Sequence, residues 1–132
     1  MVLLVIDASL STRLGTELRN RGRGACSLAS LGLKVWKDEP MLRALVDRVS
    51  EPYVLVTADD SMPATHRPVI DETATTIATL DSRWWRSGLA QEQYKCEVVH
   101  RWAHLMARQR PGTITRYAIN SHRPWSPLRG RS

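Results

Sequence analysis

The stretch Val2-Leu3-Leu4-Val5-Ile6-Asp7-Ala8-Ser9-Leu10-Ser11 decides the fold. A short run of large aliphatics, rich in Val and Ile, predicts a strand buried on both faces. Strands of that kind belong to parallel sheets with helices on either side. The run stops at Asp7, which puts a carboxylate at the carboxyl edge of the sheet, where open α/β folds bind their ligands. The pattern recurs at Tyr53–Thr57, which leads through Ala58 to Asp59 and Asp60, and again at residues 75–80, which lead to Asp81.

Working outward, Ser9 or Ser11 can cap a helix whose buried stripe is Leu10, Leu14 and Leu18. Arg19 and Arg21 suit its carboxyl end, and Gly22 supplies the left-handed residue that stops it. Residues 25–28 form a short second strand, and residues 31–37 a loop with Gly32 and Trp36. Asp38, Glu39 and Pro40 open a second helix, with Asp38 as its cap and Met41, Leu42, Leu45, Val46 and Val49 as its apolar face. Strand, helix, strand, helix, strand implies right-handed crossovers and a parallel sheet with every carboxyl end on one edge.

Farther on, Pro63 and Pro68 leave room for at most a short helix near residues 65–71. Residues 75–80 are a fourth strand, residues 83–88 a polar turn, residues 91–108 a helix, and residues 113–119 an edge strand. From Ser121 on, prolines and arginines replace aliphatics. The expected division is therefore one domain over residues 1–120 and a loose basic tail over residues 121–132.

With 132 residues, the chain is long enough to bury a real core. No apolar stretch approaches the roughly 20 residues of a membrane span, and the start lacks the basic region of a signal peptide. Cys26 and Cys96 have no metal-ligand spacing and are expected as core thiols of a cytoplasmic protein. The net charge of +6 is uneven: residues 1–82 hold 9 Lys/Arg against 11 Asp/Glu, and residues 83–132 hold 10 against 2. An acidic body with a basic last third suits a polyanion held near bound cations, the alternative being a solubilising basic tail.

The topology lets Asp7, Asp38 and Asp59 converge on one edge, and Asp81 joins them through the fourth strand. Clustered carboxylates repel one another unless a cation neutralises them. Hard oxygen ligands completed by water are what Mg²⁺ or Mn²⁺ prefers, and such an ion activates water and stabilises charge on a phosphorane-like transition state. The alternative is that Asp38 only caps its helix and Asp60 only closes a turn.

The run Leu4-Val5-Ile6-Asp7-Ala8-Ser9-Leu10-Ser11, the helix start Lys37-Asp38-Glu39, and Val54-Leu55-Val56-Thr57-Ala58-Asp59-Asp60 together resemble the PIN-like family, most closely its VapC-like toxin nucleases. The resemblance covers roughly residues 2–82 and weakens toward residue 119. It implies a three-layer α/β/α sandwich and a metal-dependent endoribonuclease toxin, with RNA as substrate and a small antitoxin as protein partner. Asp7, Asp38 and Asp59 match the family's acids. Asp60 and Asp81 are candidates for a supporting carboxylate, and Ser9, Glu39 and Thr57 stand behind the ligands. The chain departs from the family's pattern at two places. Asp-Ala-Ser follows the first strand where many relatives have Asp-Glu-Asn, and Ser61 stands where many have an acid. A PIN-like domain with weakened catalysis that binds nucleic acid or protein is therefore the alternative.

Arg13, Arg83, Arg86 and Trp85 are the candidate nucleic-acid contacts, since an unpaired base stacks on Trp while Arg meets phosphate. Trp84 and Trp85 equally suit a core position and a protein interface, and a homodimer stays open. His100 and His104 have a zinc-compatible spacing, but Arg101 stands where the zincin pattern needs Glu. His66 is a loop histidine or a phosphate contact. Gly22-Arg23-Gly24 lacks the Gly-Lys-Ser/Thr end of a phosphate loop. A phosphatase-like hydrolase would open with Asp-x-Asp, and position 9 is Ser.

Overall fold

Leu4, Val5 and Ile6 are all buried, with at most 2% of their surface exposed, so the opening strand is covered on both faces. A computed structural model describes residues 2–10, 12–81, 92–118 and 121–125. Its elements are β1 (Leu3–Ile6), α1 (Thr12–Asn20), β2 (Ala25–Ser27), α2 (Asp38–Arg48), β3 (Tyr53–Thr57) and α3 (Met62–Thr65). After these come α4 (Arg67–Thr73), β4 (Thr76–Leu80), α5 (Glu92–Ala107), β5 (Ile114–Ala118) and β6 (Ser121–Pro124). The strands form one six-stranded sheet in the order β2-β1-β3-β4-β5-β6. Every pairing is parallel except β5 with β6.

Side chains alternate across the strands and divide the core in two. Leu4, Ile6, Val54, Val56, Ala78 and Leu80 face one side, where Leu10, Leu14 and Leu18 meet Val99, Ala103 and Met106 of α5. Val5, Leu55 and Ile77 face the other side, where Met41, Leu42 and Leu45 of α2 meet Val69 and Ile70 of α4. The chain is thus a three-layer α/β/α sandwich around a mostly parallel sheet, as the sequence predicts. Among the described residues, no helix is long and apolar enough to cross a membrane.

The register delivers the acids. Ile6 pairs with Val56, so Asp7 and Thr57 leave the sheet side by side, and the Asp7 N–H donates to the Val56 carbonyl at 2.9 Å. Thr57 pairs with Thr79, and the Asp81 N–H donates to the Tyr117 carbonyl at 2.9 Å. Asp7, Asp59 and Asp81 therefore all follow strand carboxyl ends on one edge. The loop into α2 is tied down by Arg48, whose Nη1 donates to the Leu31 carbonyl at 2.6 Å while its guanidinium lies 4.9 Å from the Trp36 ring centroid. Gly32 in that loop has φ +74°, a backbone conformation that a side chain would strain.

Several expectations are corrected here. Pro63 and Pro68 do not restrict residues 61–73 to one short helix. Each sits in the first turn of its own helix, α3 or α4, where a missing N–H costs nothing. Residues 114–118 are not the edge strand. β5 lies inside the sheet, and β6 pairs along its far side. The segment expected as tail therefore contributes its first four residues to the sheet, with Pro124 on the outer strand, where Pro is tolerated. Trp125 then packs against the second core cluster. Val46 is 49% exposed rather than on the apolar face of α2. Arg83, Trp84, Trp85 and Arg86 lie outside the described residues.

Candidate functional site

Two backbone N–H groups and two hydroxyls meet at the ends of β1 and β3, where Ser9 Oγ lies 3.2 Å from Thr57 Oγ1. The Ala58 N–H donates to Ser9 Oγ at 3.1 Å, and the Asp59 N–H donates to Thr57 Oγ1 at 3.0 Å. A backbone N–H only donates, so each hydroxyl accepts there and keeps its own proton to give. Both give it to the same atom: Thr57 Oγ1 and Ser9 Oγ each lie 2.8 Å from Asp7 Oδ2. The Ser9 N–H adds a longer contact of 3.4 Å. Thr57 is fully buried. Ser9 and Thr57 are thus both hydrogen-bonded to Asp7, and Ser9 bonds the carboxylate rather than capping α1.

Asp59 repeats the arrangement one strand over. Ser61 donates its hydroxyl to Asp59 Oδ1 at 2.7 Å and its N–H to the same oxygen at 3.0 Å. Asp7-Ala8-Ser9 and Asp59-Asp60-Ser61 are therefore the same device. A serine two residues on bonds one carboxylate oxygen back toward the chain, so the hydrogen bonds fall on Asp7 Oδ2 and Asp59 Oδ1.

Asp38 is held differently. It is the first residue of α2 rather than its cap. Lys37 occupies the cap position and makes no side-chain cap bond. Asp38 Oδ2 lies 3.2 Å from His66 Nε2, and Glu39 Oε2 lies 3.0 Å from His66 Nδ1. Burial pushes the Asp38 carboxyl above the ordinary range. His66 pulls it back, and the charges of Asp7 and Asp59 push it up further. Asp38 is thus close enough to feel both strand-end acids.

The remaining candidates spread out. Asp60 Oδ1 stands 4.0 Å from Arg116 Nε of β5. Asp81 is half-buried at the end of β4. Arg13 lines a small depression with Glu17, Arg21 and Cys96, between α1 and α5. Lys34, which sequence reasoning passed over, lines a cavity of about 260 Å³ with Asp7, Ala8 and Ser27. Thr79, in register between Thr57 and Arg116, is fully buried, and its hydroxyl has no hydrogen-bond partner among the described residues.

Among the described residues, no three His, Cys, Asp or Glu side chains gather tightly enough to hold one ion. The donor chemistry still fits a hard divalent cation. Two carboxylates at adjacent strand ends each carry their hydrogen bonds on one oxygen, and Mg²⁺ is commonly held by one or two carboxylates with water completing its shell. His100 is not part of this edge. Burial, then Arg23 and Arg21, hold its imidazole below the usual range.

Sequence reasoning missed the place of His66, because its contacts, Asp38 and Glu39, open α2 far away in the sequence, and only the packing of α4 on α2 brings them together. Arg116 is recoverable in part, as an alternate residue of a predicted strand. Compared with models of protein families, with curated proteins and with solved structures, the chain matches none.

Proposed function

We propose that this protein is a Mg²⁺- or Mn²⁺-dependent endoribonuclease of PIN-like character, the toxin of a toxin–antitoxin pair. The observation that carries the proposal is the convergence at the sheet edge. The Thr57 hydroxyl ties the Asp7 carboxylate to the Asp59 backbone N–H, and Asp38, raised first by burial, is raised further by the charge of both acids. A divalent cation held there would supply the positive charge that stabilises a phosphodiester under attack by water. Asp7 and Asp59 would hold it, with Asp38 as third ligand. Ser9, Thr57 and Ser61 orient the first two carboxylates, a task that usually matters about as much as the ligands themselves. Arg116, 4.0 Å from Asp60, and Lys34, which lines the cavity beside Asp7, suit the phosphates of a single strand. The loop that ends at Asp38 exposes Val35 by 90% and Trp36 by 42%. Apolar side chains so exposed beside charged residues suit a protein partner such as an antitoxin.

A second reading is favoured by one observation. Ser61 stands where the PIN-like pattern often has an acid, which suits a domain that binds RNA or protein without cutting. The two readings separate when purified protein is incubated with total RNA, with and without Mn²⁺, beside Asp7→Asn. Mn²⁺-dependent cleavage lost in the variant supports the nuclease. Equal cleavage by both proteins refutes it, as does retained RNA binding with no cleavage.

A further inference from the structure

A basic cluster lies at the other end of the sheet from the acids. Leaving α1, the run Arg19-Asn20-Arg21-Gly22-Arg23-Gly24 turns into β2. The Gly24 carbonyl accepts from the Leu4 N–H at 2.9 Å, which places this turn at the amino ends of β1 and β2. α5 packs against α1 here. Its His100 and His104, with Arg108 just after the helix, repeat at four-residue spacing along one side. Between the two helices is a cavity of about 190 Å³, lined by Leu4, Gly22, Arg23, Gly24, Ala103 and Ala107.

The cluster has donors left to give. Arg23 Nε and His100 Nδ1 are both buried, and neither has a hydrogen-bond partner among the described residues. An arginine Nε–H only donates, so what satisfies it must be an acceptor. Buried polar groups are nearly always satisfied, and a bound ion is one explanation of an orphan. The acid at hand is already used, since Glu97 pairs with Arg21 at 2.8 Å. Burial, then the charges of Arg23 and Arg21, disfavour a proton on His100, while Glu97 pulls the other way. An anion would relieve that crowding of positive charge. A tetrahedral phosphate can accept from donors on two elements at once, and the guanidinium fork matches its oxygens.

We infer that this cluster is a binding site for a phosphate group, with Arg23 and His100 as its donors. The phosphate is carried by a single RNA strand or by a free nucleotide. On a strand, the exposed His104 and Arg108 continue the basic row along α5. The inference does not rest on the metal-dependent reading, because none of the carboxylates at the acid edge takes part.

The test uses labelled single-stranded RNA in EDTA, so that no divalent cation takes part, with binding read by fluorescence anisotropy across a series of salt concentrations. Wild type is compared with Arg23→Gln and with Arg43→Gln. The second variant removes the same charge from an arginine paired with Glu72 on the other face of the sheet. Arg23→Gln should weaken binding about three- to tenfold and lower the salt slope by about 0.7, the share of one phosphate on a single strand. Arg43→Gln should change neither. Wild type is also titrated with inorganic phosphate at constant ionic strength and followed by NMR, which does not depend on a variant folding. The Gly22, Arg23 and Gly24 amides and the His100 ring nitrogens should shift with one midpoint. Given those shifts, a fall in RNA binding confined to Arg23→Gln assigns the site to a strand. No difference between the two variants assigns it to a free nucleotide phosphate. Amides and ring nitrogens that do not move overturn the inference.

Discussion

Thr57→Val keeps the shape of a fully buried side chain and deletes one oxygen. That oxygen donates to Asp7 Oδ2 at 2.8 Å and accepts from the Asp59 N–H at 3.0 Å. A hydrogen bond to a charged group contributes about 1.5–3 kcal/mol, and a stranded buried donor costs about 1–3 kcal/mol. The two do not add in full, because Asp59 is only half-buried and water reaches its side of the edge. The expected loss is about 2–4 kcal/mol. With an unfolding entropy of about 2.1 cal/mol/K per residue over 132 residues, this lowers the melting temperature by about 7–14 °C.

Thermal melts followed by circular dichroism at neutral pH measure the loss, with Thr57→Ser as the control. Serine keeps the hydroxyl and removes one methyl, so it should cost only about 1 kcal/mol. A double-mutant cycle with Asp7→Asn isolates the contact, and a coupling of about 1 kcal/mol or more is expected. The reasoning is refuted if Thr57→Val melts within about 1 kcal/mol of wild type, or if valine and serine are indistinguishable. Either result would mean that the hydroxyl does not hold the two strand-end acids in register.

Ser61→Ala removes the 2.7 Å donor to Asp59 but leaves the backbone N–H in place. Stability should change by less than about 1 kcal/mol, while Mn²⁺ affinity falls roughly tenfold as Asp59 loses its orientation. Melts and calorimetry read the two effects separately. Asp38 is raised chiefly by burial and further by Asp7 and Asp59, so its charged form works against the fold. That penalty is present above its folded pKa and vanishes below the unfolded value near about 3.9. Asp38→Asn without added metal should therefore melt higher than wild type at pH 7, and the gap should close on acidification. A gap that widens as pH falls contradicts the assignment. Burial pushes the Tyr117 hydroxyl up to about 12. Its protonated form is the one the fold prefers, so stability should fall between about pH 10 and 12. Tyr117→Phe should flatten that loss in alkaline melts.

The sheet is legible in the sequence wherever burial and local stereochemistry agree. Residues 2–6 and Tyr53–Thr57 are apolar on both faces because helices cover both, and the Leu10, Leu14, Leu18 stripe and Gly22 mark α1 and its end. Legibility stops where the determinant is nonlocal. β6 has the composition of a tail, and it is a strand because β5 leaves an edge of backbone donors and acceptors open to it. Asp38 has the chemistry of a helix cap, and the geometry gives its carboxylate to His66 instead. In each case a residue type has several acceptable partners, and only the packed fold decides among them.

The same point bears on the two places where the sequence departs from the PIN-like pattern it was compared with above. Counted as charges against that pattern, Ala8 and Ser61 are the losses, since Glu and an acid often stand at those two places in it. Counted as hydrogen bonds, Ser9 and Ser61 do what a further acid cannot: each donates to the preceding aspartate through its hydroxyl. A further acid would add to the repulsion from Asp7 and Asp59 that raises Asp38 beyond the effect of its burial. A serine instead lowers the conformational freedom of one carboxylate and adds no charge. The edge therefore has two carboxylates fixed by hydroxyls and a third held by an imidazole. On the metal-dependent reading proposed above, such an edge should bind a cation more weakly than a four-acid cluster, and its affinity should be set by Thr57 and Ser61 as much as by the acids they hold.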